Sequence, residues 1–213
     1  MTLAAKTNAT PRPPRYDGAA NRKRVLETAL QVFARVGFAG ASLRTIASEA
    51  GIEQGHLTYY FPTKIALWRG VVEAFASEPL HRVEAVLPTS AGLDTASAAR
   101  LVLPELLRCF AQNSGLTRLM LQEMSVDSDR SDWLANHFAR PVWVALRPLF
   151  EQLSEAGYLR GTPPELAYFT MIGSALVTFG NAKLIRQFTS HDPLSRDAVE
   201  QAISHIVSSV LIR

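Results

Sequence analysis

Gln54, Gly55, His56, Thr58 and Tyr59 fall within one short stretch. Together they offer an amide, an imidazole, a hydroxyl beside a methyl, and a phenol. These groups suit the edges of DNA bases and the phosphates that flank them. Glutamine can pair bidentately with adenine, and a threonine methyl can touch the methyl of thymine. His56 can offer a donor or an acceptor. Gly55 removes bulk, so the backbone can come close to a partner. Tyr59 suits a phosphate. A second group, Ser42, Arg44 and Thr45 before the stretch and Lys64 after it, stands where helices are expected to begin. There, free N–H groups and the helix dipole favour an anion. Such contacts fix register without carrying sequence information. The chemistry expected is recognition of double-stranded DNA.

For those side chains to work, two short helices must cross steeply on a tight turn. Ala47 is small enough for the close crossing, and Gly51 tolerates the left-handed backbone of the turn. Ile46, Ala50, Ile52, Leu57 and Tyr60 supply the apolar groups between the helices. This is the plan of a helix-turn-helix, with a recognition helix starting near Gln54 whose first residues enter the major groove. A preceding helix from Asn21 carries the stripe Val25, Leu26, Ala29, Leu30, Val32, Phe33 and Val36, and Gly37 should stop it. Ser42 is placed to cap the next helix. Thr63 is placed to cap a fourth one through Ile65, Leu67, Trp68, Val71, Val72 and Phe75, which Pro79 should kink or end.

The charge is uneven. Residues 1–70 contain ten Lys/Arg against four Asp/Glu, and the remainder contains twelve against fifteen. A basic front suits a polyanionic partner. With 213 residues, 47% of them hydrophobic and 19% charged, the chain has ample material for a packed core. The single cysteine, Cys109, excludes an intrachain disulfide and fits a reducing cytoplasm. Met1 to Tyr16 has no apolar run of signal-peptide type. Residues 1–20 read as a flexible basic arm, 21–70 as the DNA-binding head and 71–213 as a second, helical unit.

The pattern Ser42-Leu43-Arg44-x-Ile46-Ala47-x-x-Ala50-Gly51-Ile52-x-x-Gly55-x-Leu57-x-x-Tyr60-Phe61-Pro62-x-Lys64-x-x-Leu67 resembles the N-terminal domain of TetR-family transcriptional regulators. Ala29-x-x-x-Phe33-x-x-x-Gly37-Phe38 is similar to that family's first helix. The likeness covers about residues 21–70. It departs at Thr58, where the family commonly carries tyrosine, so the aromatic character moves on by one position. The resemblance implies an all-α chain: a three-helix DNA-binding head on a larger helical domain for ligand binding and dimerisation. It implies a homodimer that represses from a palindromic operator until a small molecule releases it.

Beyond the head, helices are expected at roughly 96–113, 115–124, 132–156, 164–187 and 196–212. Leu166 to Ala182 contains no charged residue. A membrane span is the first alternative, but the run is short and carries Thr, Ser, Asn and Gly, so a helix buried on all sides fits better. With the last helix it would form a four-helix dimer interface, through Met171, Gly173, Val177, Ile203, Ile206 and Val210. Gly173, Ser174 and Gly180 would permit close approach there. A cavity for the effector should lie between the other helices, with Phe110, Met120, Met124, Phe138, Trp143 and Phe179 as apolar lining. Glu123, His137 and Asn181 would be its polar anchors, unless Glu123 pairs with Arg118 or Arg147. The five histidines show no metal-ligand spacing, and no nucleophile elbow, phosphate loop or dinucleotide fingerprint occurs. Neither catalysis nor a cofactor is expected. The rival reading is a helical small-molecule-binding protein or enzyme with a purely structural helix-turn-helix.

Overall fold

The computed structural model describes residues 18–211, and all the regular structure among them is helical. The arm expected over 1–20 lies outside the described residues as far as residue 17, and residues 18–20 already belong to the first helix. Helix α1 spans Gly18–Gly40. Its stripe Val25, Leu26, Ala29, Leu30, Val32 and Phe33 is buried, whereas Val36 is 47% exposed. At Gly37 the backbone leaves the helix (φ 72°, ψ 172°), a geometry that L side chains rarely adopt.

α2, Leu43–Ala50, starts at Ser42, whose Oγ accepts the Thr45 N–H at 3.0 Å. Gly51 ends it in the left-handed region, φ 65°, and the Ile52 N–H returns to the Ala47 carbonyl at 3.0 Å. α3, Gln54–Tyr60, begins at the expected residue. Thr63 caps α4, Lys64–Phe75, by accepting the Ala66 N–H at 3.1 Å. Pro79 does not act on α4. It sits in the first turn of α5, Glu78–Val86, where a missing N–H is harmless.

α6 spans Thr95–Gln112 and α7 Ser114–Met124. A reciprocal cap between Ser128 and Ser131 opens α8, Asp129–Leu134. The helix expected over 132–156 is a continuous path with a change of register inside it. Ala135–Ala139 forms a π-helical stretch before α9, Arg140–Glu155, and the Arg140 N–H reaches back to the Ala135 carbonyl. Pro141 supplies a cause: it has no N–H, and its ring crowds the carbonyl of the preceding turn.

The helix expected over 164–187 is broken at Asn181 into α10, Pro164–Gly180, and α11, Ala182–Ile185. A Cβ on Gly180 would stand 3.3 Å from the Arg118 backbone. Gly180 therefore serves a close crossing of α10 over α7 within one chain, not a contact between subunits. α12 spans Arg196–Val210.

Two apolar clusters result. One holds the head together around Phe33, Ile46, Leu57 and Trp68, and it includes Leu116 and Leu119 of α7 and Leu134 of α8. The other joins α6, α9, α10 and α12 around Leu103, Leu106, Phe150, Met171 and Ile203. The boundary expected at residue 70 cuts α4, whose Val71 and Val72 belong to the head's core.

Candidate nucleic-acid interface and effector cavity

Ile46, Ala47, Ala50 and Leu57 lock α3 against α2, and all four are buried. That packing turns Gln54, Gly55, His56 and Tyr59 outward, together with Ser42, Arg44 and Thr45 at the start of α2. Tyr59 is 84% exposed, its ring edge-on to Tyr60 at 5.5 Å. Nothing lies within 4 Å of where a Cβ on Gly55 would stand, and the residue has no left-handed backbone. The fold thus has no need of glycine there. Thr58 is half-buried. Its hydroxyl donates to the Gln54 and Gly55 carbonyls at 2.7 and 3.1 Å, so its methyl is the group left to offer. The aromatic shift seen in the sequence therefore gives an exposed Tyr59 beside an inward-leaning Thr58.

Lys64 is committed elsewhere than expected. Its ammonium donates to the carbonyls of Phe38 at 2.8 Å and Ala41 at 2.9 Å, with Ala39 at 3.4 Å. It also lies 4.5 Å from the centre of the Phe38 ring. The α1–α2 connection already occupies its donors. A phosphate contact by this side chain would displace those bonds.

The other face of Phe38's neighbourhood leads into the rear of the molecule. The Arg130 guanidinium lies 4.1 Å from the Phe38 ring centre. Its Nε donates to Glu123 Oε2 at 2.8 Å, and Glu123 is buried, 3% exposed. Glu123 was expected to face the cavity or to pair with Arg118 or Arg147. It pairs with Arg130, while Arg147 binds Glu151. Trp133 packs edge-on to Trp68 at 5.6 Å and beneath the Arg69 guanidinium. Gln122 donates to the Ala34 carbonyl at 3.1 Å. α7 and α8 thus form a seam with the head. Sequence reasoning missed Arg130 and Trp133, because nothing local marks a residue that acts across domains.

A cavity of about 150 Å³ lies behind this seam. Of the residues expected around an effector, Phe110, Met120, Met124 and Phe138 line it. The other predicted lining residues lie elsewhere. Trp143 packs on Tyr168 and Phe150, and Phe179 is fully buried in the rear core. His137 is exposed and stacks on Trp133 at 4.5 Å. Asn181 Nδ2 donates to the Val177 carbonyl. None of these, nor Glu123, touches the cavity. Its further walls come from Ala76 at the end of α4, Pro79 of α5, Leu106 of α6, the 135–139 stretch, and Tyr168, Phe169, Ile172 and Leu176 of α10. The signal for Tyr168 was present in the sequence, as a phenol inside a charge-free run.

Of the residues expected between subunits, Met171, Ile203, Ile206 and Val210 are buried within the single chain. The α12 stripe that suggested an interface is the side facing the rear core. Gly173 is half-buried, and Val177 stays outward with Leu166 and Phe169. Cys109 is buried, and burial pushes its thiol up to about 11, which keeps it protonated and a poor nucleophile. Among the described residues no cluster of His, Cys, Asp and Glu could hold a metal, and no helix is long and apolar enough to cross a membrane.

A helix-turn-helix head is thus joined through a seam to a larger helical body. The family described as "Bacterial regulatory proteins, tetR family" matches residues 25–71, which take in α2 and α3 with parts of α1 and α4. It is 30% identical over 111 residues to "Probable HTH-type transcriptional regulator YttP" of Bacillus subtilis (strain 168), a match covering 50% of this chain and 52% of that protein. The chain therefore spans about half the length of that curated relative. Two solved structures share the fold across nearly the whole chain. One is a HlyIIR mutant with a linker replacing residues 169–186, with TM-score 0.70, 20% identity, and coverage of 92% of this chain and 100% of that one. The other is the SmeT-Triclosan complex, with TM-score 0.60, 18% identity, and coverage of 89% and 91%.

Proposed function

We propose that this chain is a ligand-responsive transcriptional regulator, a repressor released from a palindromic operator by a small-molecule effector. The observation that carries the reading is that one helix serves both ends. Lys64, at the start of α4, is tied to the α1–α2 connection, and Ala76, just past its end, lies in the cavity wall. A molecule that fills the cavity and shifts Ala76 or the 135–139 stretch therefore moves the head that carries α3. Occupied cavity and bound operator favour different head separations, so each lowers the affinity for the other. In the operator-bound dimer the two α3 helices stand about 34–36 Å apart, one turn of DNA.

Gln54 and His56 read bases, the methyl of Thr58 meets thymine, and Tyr59, Ser42, Arg44 and Thr45 hold phosphates. Gly55 lets the helix come close. Lys64 acts first as the strut that sets the start of α2 and adds its charge to the site. The similarity to the SmeT-Triclosan complex supports a body of this fold that accepts a small organic molecule.

The dimer forms through α10 and α12. On α10 the outward Leu166, Phe169 and Val177, with the half-buried Gly173 between them, provide an apolar face, which the exposed polar residues Gln201, Ser204 and Ser208 extend on α12. Val177→Glu should leave the monomer folded and shift sedimentation from dimer to monomer. A dimer unmoved by that change would place the interface elsewhere. The function itself is tested by selecting DNA sequences in vitro and measuring binding by fluorescence anisotropy. Salt-dependent, sequence-specific binding is expected. Failure to enrich any sequence would end the regulator reading.

A further inference from the structure

We infer that the cavity takes a compact, uncharged, largely apolar molecule with a single hydrogen-bond acceptor, and that the Tyr168 hydroxyl is the group that receives this acceptor. The inference rests on the effector role proposed above and specifies the chemistry of that effector.

The lining of the space sets what it can hold. Among the described residues no charged one lines it, and the lining residues that carry a hydroxyl are Ser131 and Tyr168. Ser131 is already used: its Oγ donates to the Ser128 carbonyl at 2.8 Å and accepts the Ser128 N–H at 3.0 Å. Tyr168 is different. It is 3% exposed, its ring is held by Trp143, Phe150 and Phe169, and among the described residues its hydroxyl has no hydrogen-bond partner. Without a protein partner, this hydroxyl takes its hydrogen bond from whatever occupies the space beside it, water or a bound molecule. Burial also holds this phenol above its ordinary titration range, so at neutral pH it keeps its proton and can donate.

The remaining walls set the other limits. An ionised group would have to leave water without a counter-charge, because the buried Glu123 outside the lining is already neutralised by Arg130. A space near 150 Å³ lined by apolar groups is the size that a single-ring molecule fills. Met124, which lines the space and is about half exposed, marks the mouth.

The test uses three probes of similar size on the full-length protein, followed by isothermal titration calorimetry: acetophenone (a neutral acceptor), cumene (the same outline without an acceptor) and benzoate (an anion). Acetophenone should bind about 3- to 10-fold more tightly than cumene, as one neutral hydrogen bond provides, and benzoate should not bind. Tyr168→Phe keeps the ring and should erase the preference while leaving cumene affinity unchanged. Ile172→Phe narrows the space and should weaken both neutral probes. Benzoate binding as well as acetophenone, an undiminished preference in Tyr168→Phe, or no binding of either neutral probe to folded protein would each overturn the inference. Anisotropy with selected DNA, run without any probe, keeps the two readings apart. Specific DNA binding with no neutral probe bound sinks the effector class alone. The expected probe ranking without DNA binding upholds the cavity chemistry and sinks the regulator.

Discussion

Around α3 the side chains poised for a partner stand in water. Gln54, His56 and Tyr59 are exposed, and Gly55 has open space where a side chain would go. Around the cavity the reverse holds: the walls are apolar and drawn from the end of α4 through α10, and Tyr168, which carries the unpartnered hydroxyl among the described residues, is buried. The first surface can meet a charged, hydrated partner because its own groups contribute little to the fold. The second can hold only what tolerates losing water, and its walls are the same atoms that stabilise the body. Substitutions should therefore separate binding from stability in the head and entangle them in the rear.

The strongest test of that contrast is at the seam between the two. Arg130→Ala strands the Glu123 carboxylate in the interior and should lower unfolding free energy by about 3 kcal/mol in a urea titration. Pairing Arg130→Met with Glu123→Leu should restore most of the loss. If the seam transmits the signal, that double variant binds DNA but no longer releases it on adding effector.

Next in size is Gly180→Ala, which sets a methyl against the α7 backbone and should destabilise by about 1–3 kcal/mol. An unchanged midpoint would mean that α10 and α7 separate freely. In the head, Gln54→Ala should cost roughly 1–3 kcal/mol of binding at one base pair of the operator and leave thermal unfolding unmoved. Equal weakening on every sequence would make Gln54 a backbone contact instead. The smallest effect is the most discriminating. Gly55→Ala should stabilise the protein by up to about 1 kcal/mol, since a helical glycine is replaced in open space. The same change should weaken DNA binding. A variant improved in both would remove the argument for close approach.

The head was legible because its constraints are local. Ser42, Gly51 and Thr63 each act within four residues, and each appears in the structure in the role its type dictates. Lys64 shows where that reasoning stops: its spacing suggested an anion, but its bonds run to carbonyls 23 to 26 residues away. The rear was legible as helices but not as a cavity. Periodicity makes Phe179 and Phe110 look alike, yet Phe179 is fully buried in the rear core and Phe110 lines the cavity. The α12 stripe of Ile203, Ile206 and Val210 was misassigned for the same reason, since an apolar face does not say whether it meets its own chain or another. The π-helical turn at 135–139 has a cause in Pro141, yet a proline near the start of a helix is ordinarily unremarkable.

The positions of the indoles give the molecule an optical handle. The chain has three tryptophans, and none lies on α3. Trp68 and Trp133 meet at the seam, and Trp143 leans on Tyr168 beside the cavity. Among the described residues the Trp68 indole N–H is buried with no hydrogen-bond partner, an apolar setting that favours short-wavelength emission. Intrinsic fluorescence should therefore respond when the cavity fills, and should respond to DNA only through strain carried across the seam. An emission change on adding operator alone would thus time the passage of the signal from one end of the protein to the other, with no label attached.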